Sequence, residues 1–218
     1  MPVLRLVVDN VNTKVDSVNM TAVEVDTKQR LIACAIDLLD EHGVAGLGLR
    51  EVARRAGVSH NAPSRHFPGG YRDLCTAVAA VGFRGFADAL VDATEAAGDS
   101  PIDRFAANGR AYIGYGVANR GVFELMWRSD LIDFTDPDLI AAAAPAYASL
   151  RRCVAALQAA GWHADADTEV LAATCWSWAQ GVTQLWSQGA FPGPIGSKTL
   201  DDLIRTGLAV LGLEKETL

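Results

Sequence analysis

Leu49-Arg-Glu-Val-Ala-Arg-Arg-Ala-Gly-Val-Ser-His-Asn-Ala-Pro-Ser-Arg-His-Phe-Pro68 is the stretch on which the reading of this chain turns. It holds two short helical segments around a glycine. The first begins after Gly48 and runs to Gly57; the second begins with Ser59 as its cap and ends near Phe67. Gly57 permits the positive backbone angle that a sharp turn between helices requires. Val58 and Ala53 are placed to pack the two helices together. The segment His60 to Phe67 is left projecting outward, with a shape that suits a DNA major groove about 12 Å wide. An ordinary helical hairpin has the same outline, so the surroundings must decide.

Charge is the first of these surroundings. The 218-residue chain carries a formal net charge of −7. Residues 27–80 hold seven basic side chains (Lys28, Arg30, Arg50, Arg54, Arg55, Arg65, Arg72) against five acidic ones (Asp37, Asp40, Glu41, Glu51, Asp73), a net of +2. The remainder is acidic: −2 over residues 1–26 and −7 over residues 81–218. A basic segment in an acidic chain fits a nucleic-acid-reading head on a body with another task.

Working outward, residues 1–26 show rough apolar–polar alternation without a second strand to pair with, and are expected to form a disordered arm. Translation is also expected to be able to begin at Met20, which mass spectrometry of the native protein would test. From Asp26 the period becomes helical. Asp26 is the expected cap, with Gln29 completing a capping box, and Leu31, Ile32, Ala35, Ile36, Leu38 and Leu39 form an apolar stripe that Gly43 ends. Beyond Pro68-Gly69-Gly70, helices are expected at about 71–97, 101–119, 121–128, 138–160, 166–188 and 199–213. Ser100-Pro101 and Asp136-Pro137 each place a capping residue before a proline, and Ser197 or Thr199 can start the last helix. Pro145 is expected to kink its helix. The fold class read from this is all-α, with an N-terminal three-helix helix-turn-helix domain over 27–70 and a helical bundle over 71–218.

Several function classes find no support. No apolar run approaches the ~20 residues of a bilayer span, and the N-terminus lacks a signal-peptide pattern, so a cytoplasmic protein without a membrane partner is expected. Cys34, Cys75, Cys153 and Cys175 have no metal-ligand spacing and read as reduced thiols, so no metal site is expected. Neither a nucleophile elbow nor a phosphate-cradling glycine loop nor a dinucleotide fingerprint occurs; no catalytic residue and no cofactor are expected.

The 49–68 run closely resembles the N-terminal domain of TetR-family regulators, through Ala-Gly-Val-Ser followed by His66-Phe67 and through the preceding Leu38-Leu-Asp-Glu-His-Gly43. Weaker likenesses follow. Ala118-Asn-Arg-Gly-Val-Phe-Glu-Leu-Met126 is similar to the family's junction between its fifth and sixth helices, and Trp176-Ser-Trp-Ala-Gln-Gly181 to the Trp…His-Gly element of one subgroup. The resemblance implies a homodimeric regulator, by family habit a repressor, that binds double-stranded operator DNA and is released by a small apolar or aromatic effector. A ligand-binding or interaction protein without DNA binding, or a helical enzyme, are the alternatives.

Departures from the family pattern are specific. Ser64 stands where a phosphate-touching Tyr is usual, Pro68-Gly-Gly-Tyr-Arg-Asp73 holds one extra residue, and Gln180 replaces the subgroup's His. Tyr71 or Arg72 then takes the place of the usual backbone-contacting Lys.

By side-chain chemistry, His60, Asn61 and Arg65 are candidates for base edges, and Arg50, Ser59, Ser64, His66, Tyr71 and Arg72 for phosphates. Arg54 and Arg55 read equally well as a solvated face, and Phe67 as core. For the effector, the candidates are Phe83, Phe86, Tyr112, Tyr115, Phe123 and Met126, with Trp127, Tyr147, Trp176, Trp178 and Gln180. These lie on the helices that surround a ligand cavity in the resembling family, and their bulk among Ala and Gly can line space or fill it. The last two helices are implied to form the dimer interface, with Leu203, Ile204, Leu208, Val210 and Leu211 as its apolar face. Pro68-Gly69-Gly70 is expected to act as the joint through which an effector turns the DNA head.

Overall fold

The computed structural model describes residues 20–191 and 198–213, with side chains from residue 27 onward. Among these residues the chain forms nine α-helices and no strand: α1 Met20–His42, α2 Leu49–Arg55, α3 Ala62–His66, α4 Tyr71–Ala96, α5 Pro101–Ala118, α6 Arg120–Leu125, α7 Pro137–Ala159, α8 Thr168–Ser187 and α9 Leu200–Val210. A 3₁₀ turn at Val44–Gly46 joins α1 to α2.

The expected start of α1 at Asp26 is corrected: the helix begins at Met20. No glycine or proline lies between Met20 and Thr27, so a helix nucleated further on has nothing to stop it growing backwards. The rest of the expected arm, residues 1–19, lies outside the described residues. Other caps fall where their side chains dictate. Ser100 Oγ accepts from the Asp103 amide at 3.3 Å, and Asp136 accepts from Leu139 at 2.9 Å. Of the two possible starts of the last helix, Thr199 is used: its hydroxyl accepts from the Asp202 amide at 3.1 Å, while the Asp202 carboxylate accepts from the Thr199 amide at 3.0 Å. Helix α7 continues through Pro145, whose missing N–H leaves the Ala141 carbonyl without its intrahelical donor. α4 is long and apolar enough to cross a bilayer by length and composition, but 67% of that stretch is buried inside the protein. The four cysteines are free.

Two compact units result, divided inside α4 and inside α7. The first comprises residues up to Gly85 with Asn119–Ala143. Here α1 packs on α2, α3 and α6, burying Leu31, Leu38 and Leu39 with Val52, Phe67, Leu125 and Met126. Each such side chain contributes about 1.5–3 kcal/mol on leaving water. Gly121 of α6 lies directly against the Leu39 backbone, where no side-chain atom fits. The second unit, Phe86–Ala118 with residues from Ala144 on, packs α5 on α8, with α9 also against α5. Its interior includes a polar contact: buried Asn108 donates to the buried Ser149 hydroxyl at 3.0 Å and to Thr94 at 3.3 Å.

Candidate functional site

The turn between α2 and α3 is built as a helix stop. Gly57 has φ +66°, the Val58 amide bonds back to the Ala53 carbonyl at 3.1 Å, and the Gly57 amide to Arg54 at 3.2 Å. This pair of bonds is a Schellman closure, which satisfies the last carbonyls of α2 and redirects the chain. The next helix starts later than the sequence implies. Ser59 is not its cap: α3 begins at Ala62, with Asn61 in the cap position and no side-chain cap bond. The reason is Pro63. A helix capped by Ser59 needs the amide of residue 63 to reach the Ser59 carbonyl, and proline has none. The Ala62 amide takes that carbonyl instead, at 2.9 Å, in a tighter turn.

On this frame Arg50, Ser59, His60, Asn61, Ser64 and Arg65 are exposed and His66 is half-buried. Two neighbouring cations are neutralised within the protein. Arg54 bonds Glu51 (Nε to Oε2, 2.8 Å) and Arg55 bonds Glu41 (2.6 Å). Those bonds hold both carboxyls below the usual glutamate range. Neither Arg50 nor Arg65 has a carboxylate within 4.0 Å among the described residues. The positive charge left available on the two helices is therefore concentrated on Arg50 and Arg65. Phe67 is core, 2% exposed, with Lys28 Nζ 5.9 Å from its ring centre.

Tyr71 is half-buried, and Arg72, although exposed, is tied to the protein's own backbone. Arg72 donates to the Ile132 carbonyl at 2.9 Å. For Tyr71, burial first and the nearby Cys75 second push the pKa up to about 12. Because the fold favours the neutral phenol, its contribution to stability holds below about pH 10 and is lost as pH rises through about 12. In a spectrophotometric titration, Tyr71→Phe is expected to remove phenolate absorbance that develops near pH 12. Absorbance lost from the ordinary range near pH 10 instead would show an open hydroxyl. The Pro68-Gly69-Gly70 joint is also held: the Gly69 amide donates to Asp73 at 2.6 Å, and Gly70 has φ +72°. A Cβ on Gly69 would overlap the Asp73 carboxylate, so Gly69→Ala disturbs this cap as well as any hinge.

The aromatic candidates fall into two groups. In the first unit Phe83 and Phe123 meet Trp127 edge-on, at 5.3 and 5.9 Å between ring centres, and Met126 is fully buried. In the second unit Phe86 packs on Tyr112 at 4.9 Å and Tyr115 at 5.3 Å. Tyr112 donates to Gln180 at 2.6 Å and accepts from Trp176 Nε1 at 2.8 Å; burial drives its pKa far above the ordinary value. Tyr147, 6.3 Å from Trp176, is 37% exposed and donates to Glu169. Trp178 covers Gly207 of α9. Tyr112, Trp176 and Trp178 share a void of about 30 Å³, room for one water molecule.

A larger cavity, about 510 Å³, lies in the first unit between α1, α4 and residues 133–138. Sequence reading misses it because its walls come from three separate stretches. The alternation of Ile32, Ala77, Ala80 and Val81 with Asp73, Asp133, Asp136 and Asp138 carries no periodic signal.

Two family models match this architecture. "Bacterial regulatory proteins, tetR family" matches residues 31–70, over the α2–α3 head, and "Tetracyclin repressor-like, C-terminal domain" matches residues 105–211. The chain belongs to the TetR family. Solved structures share the fold. A Rhodococcus sp. RHA1 protein of unknown function is 30% identical, with TM-score 0.74 over 85% of this chain and 93% of that one. A tetR-family regulatory protein from Rhodococcus RHA1 shares the fold at 20% identity, TM-score 0.60, covering 85% and 94%. So does the fatty acid degradation regulator FadR of Bacillus halodurans, at 14% identity and TM-score 0.66, covering 85% and 94%. Among curated proteins nothing matches. In this TetR-family chain Ser64 is exposed on α3 and Gln180 accepts the Tyr112 hydroxyl.

Proposed function

We propose that this TetR-family regulator is a cytoplasmic repressor that binds an inverted-repeat operator as a homodimer and is released by a small apolar or aromatic effector. The observation that carries the reading is the α2–α3 head, whose exposed Arg50 and Arg65 have no partner carboxylate among the described residues while Arg54 and Arg55 do. Arg65, His60 and Asn61 are the base-reading set. Arg50, Ser59, Ser64 and His66 hold phosphates, and Arg72 contributes only with guanidinium donors not given to Ile132. Tyr71, half-buried, is a weaker phosphate candidate than the exposed residues.

Dimer formation is supported by apolar exposure on α8 and α9: Val170 is 64% exposed, Leu185 45% and Val210 82%. Ile204 and Leu208 are buried against their own chain, so the pairing surface is the opposite face. Two-fold pairing sets the reading helices one DNA turn apart, about 34–36 Å. Effector release requires a ligand that prefers the non-binding state by about 1–3 kcal/mol. Tyr112, Trp176, Trp178 and Gln180 are the second-unit candidates for that contact; Phe86, Tyr115 and Tyr147 support them, and Phe83, Phe123, Met126 and Trp127 stabilise the first unit.

A mobility shift on the DNA upstream of the coding region tests the reading. Retardation that weakens steeply with salt and is relieved by a hydrophobic compound is expected. A strictly monomeric protein, or one that ignores this DNA at low salt, would favour the ligand-binding alternative.

A further inference from the structure

We propose that the cavity of about 510 Å³ in the first unit is a second ligand site, made for a small organic cation with an apolar body. Its volume falls within the roughly 300–1,000 Å³ of small-molecule sites. The chemistry of its walls is divided. Ile32 of α1 and Ala77, Ala80 and Val81 of α4 supply apolar surface, while Asp73, Asp133, Asp136 and Asp138 face Lys28 and Arg84 across the same space. The four carboxylates outnumber the Lys28 and Arg84 cations on these walls.

None of the four carboxylates is in an ion pair among the described residues. Their partners are neutral donors: Asp73 accepts from the Gly69 amide at 2.6 Å, Asp133 from the Thr135 amide at 2.9 Å, and Asp136 from the Leu139 amide at 2.9 Å. Those bonds fix the positions of the groups, and the Thr135 contacts hold the Asp133 carboxyl below its usual range, with a smaller contribution from Arg72. Lys28 and Arg84 on the same walls offset only part of the negative charge. An anion entering this space meets a negative field, and a neutral apolar molecule strips water from carboxylates without replacing it. A cation carrying an apolar body satisfies both surfaces.

The cavity also touches the parts that position the DNA head. His66, which ends α3, is on its wall, as is Thr76. The Thr76 hydroxyl donates to the Arg72 carbonyl at 2.8 Å and accepts from the Asp133 amide at 2.9 Å, while Arg72 donates to Ile132 at 2.9 Å. This clasp binds the start of α4 to the segment leading into α7. Occupancy thus bears on α3 without passing through the ring clusters of the second unit. That consequence rests on the proposed DNA function; binding does not.

The test is calorimetry on the full chain with three probes of one shape: 4-phenylbutylammonium, 4-phenylbutanol and 4-phenylbutyrate. The ammonium is expected to bind at least about tenfold more tightly than the other two, with affinity falling as salt rises. Asp138 is exposed, and no hydrogen bond to its carboxylate is seen among the described residues. Asp138→Asn should therefore weaken the ammonium by roughly three- to tenfold without loss of fold. Ala77→Leu, at a half-buried position on α4, should fill the floor and abolish binding while the circular dichroism spectrum stays unchanged. No binding by any probe, equal binding by all three, or indifference to both variants overturns the site. Calorimetric binding by a protein that retards no DNA supports the site and sinks the regulator reading. Retardation without ammonium binding does the reverse.

Discussion

Gly121→Ala is expected to destabilise the protein by about 3 kcal/mol, a fall in Tm of roughly 6–12 °C for a chain of this size. A Cβ at this position would overlap the carbonyl of Leu39, which is backbone and cannot rotate aside. Nor can α1 yield easily. That same carbonyl accepts the Gly43 amide at 2.9 Å in the bond that closes the helix, and Leu39 is 1% exposed. Relief must come from separating α1 and α6, which opens space beside Leu38 and Leu125, both fully buried. Gly114→Ala on α5 is the control. Gly114 is exposed with nothing within 4 Å of the added atom, so alanine should be neutral or gain up to about 1 kcal/mol through helix propensity. Thermal unfolding of the two variants checks both signs. A Gly121→Ala protein that melts with the wild type would mean that α1 and α6 do not cross as closely as described.

Gly121 also shows where sequence reading succeeds and where it stops. Its neighbourhood is recognisable by resemblance, but the cause of the glycine is its approach to a residue more than eighty positions earlier. Features fixed by near neighbours are legible: the Gly57 turn, the caps at Ser100, Asp136 and Thr199, and Phe67 as core. Errors arise where a local signal has a competitor. Asp26 is a good capping residue, yet nothing before it breaks the helix, so the helix passes through it. Ser59 is as good a cap as Asn61 by chemistry, and the amide missing from Pro63 decides between them. Tyr71 reads as a phosphate candidate because the extra residue in Pro68-Gly-Gly-Tyr-Arg-Asp73 moves it toward the place of the family's usual Lys. The packing that half-buries it leaves no local signal. The aromatic set reads as cavity lining because the resembling family has its cavity on these helices. Bulk shows that rings are buried, not whether space remains between them, and here ring-to-ring packing takes up much of their surface. The charged cavity leaves no sequence signal, since its carboxylates are spread over 66 positions from Asp73 to Asp138.

Arg65→Ala should leave folding intact and remove most specific DNA affinity. The side chain is exposed on α3 and has no carboxylate within 4.0 Å among the described residues, so its removal should change stability by less than about 0.5 kcal/mol. A guanidinium paired with a guanine edge is worth about 1–3 kcal/mol of discrimination. In a two-fold dimer the effect counts twice, so operator affinity should fall at least roughly 30-fold while binding to unrelated DNA changes far less. Arg50→Ala separates backbone grip from base reading. With one fewer cation facing the phosphates on each subunit, specific and non-specific binding should weaken alike, and the salt slope should drop by roughly one unit per missing cation. Tyr71→Phe should change both little, because the side chain is half-buried. The comparison requires titrations at several salt concentrations against operator and scrambled duplexes. Equal weakening on both duplexes for Arg65→Ala would assign its guanidinium to a phosphate and remove α3 from the reading role. An undiminished affinity would mean that the cation presented on this helix has some other use.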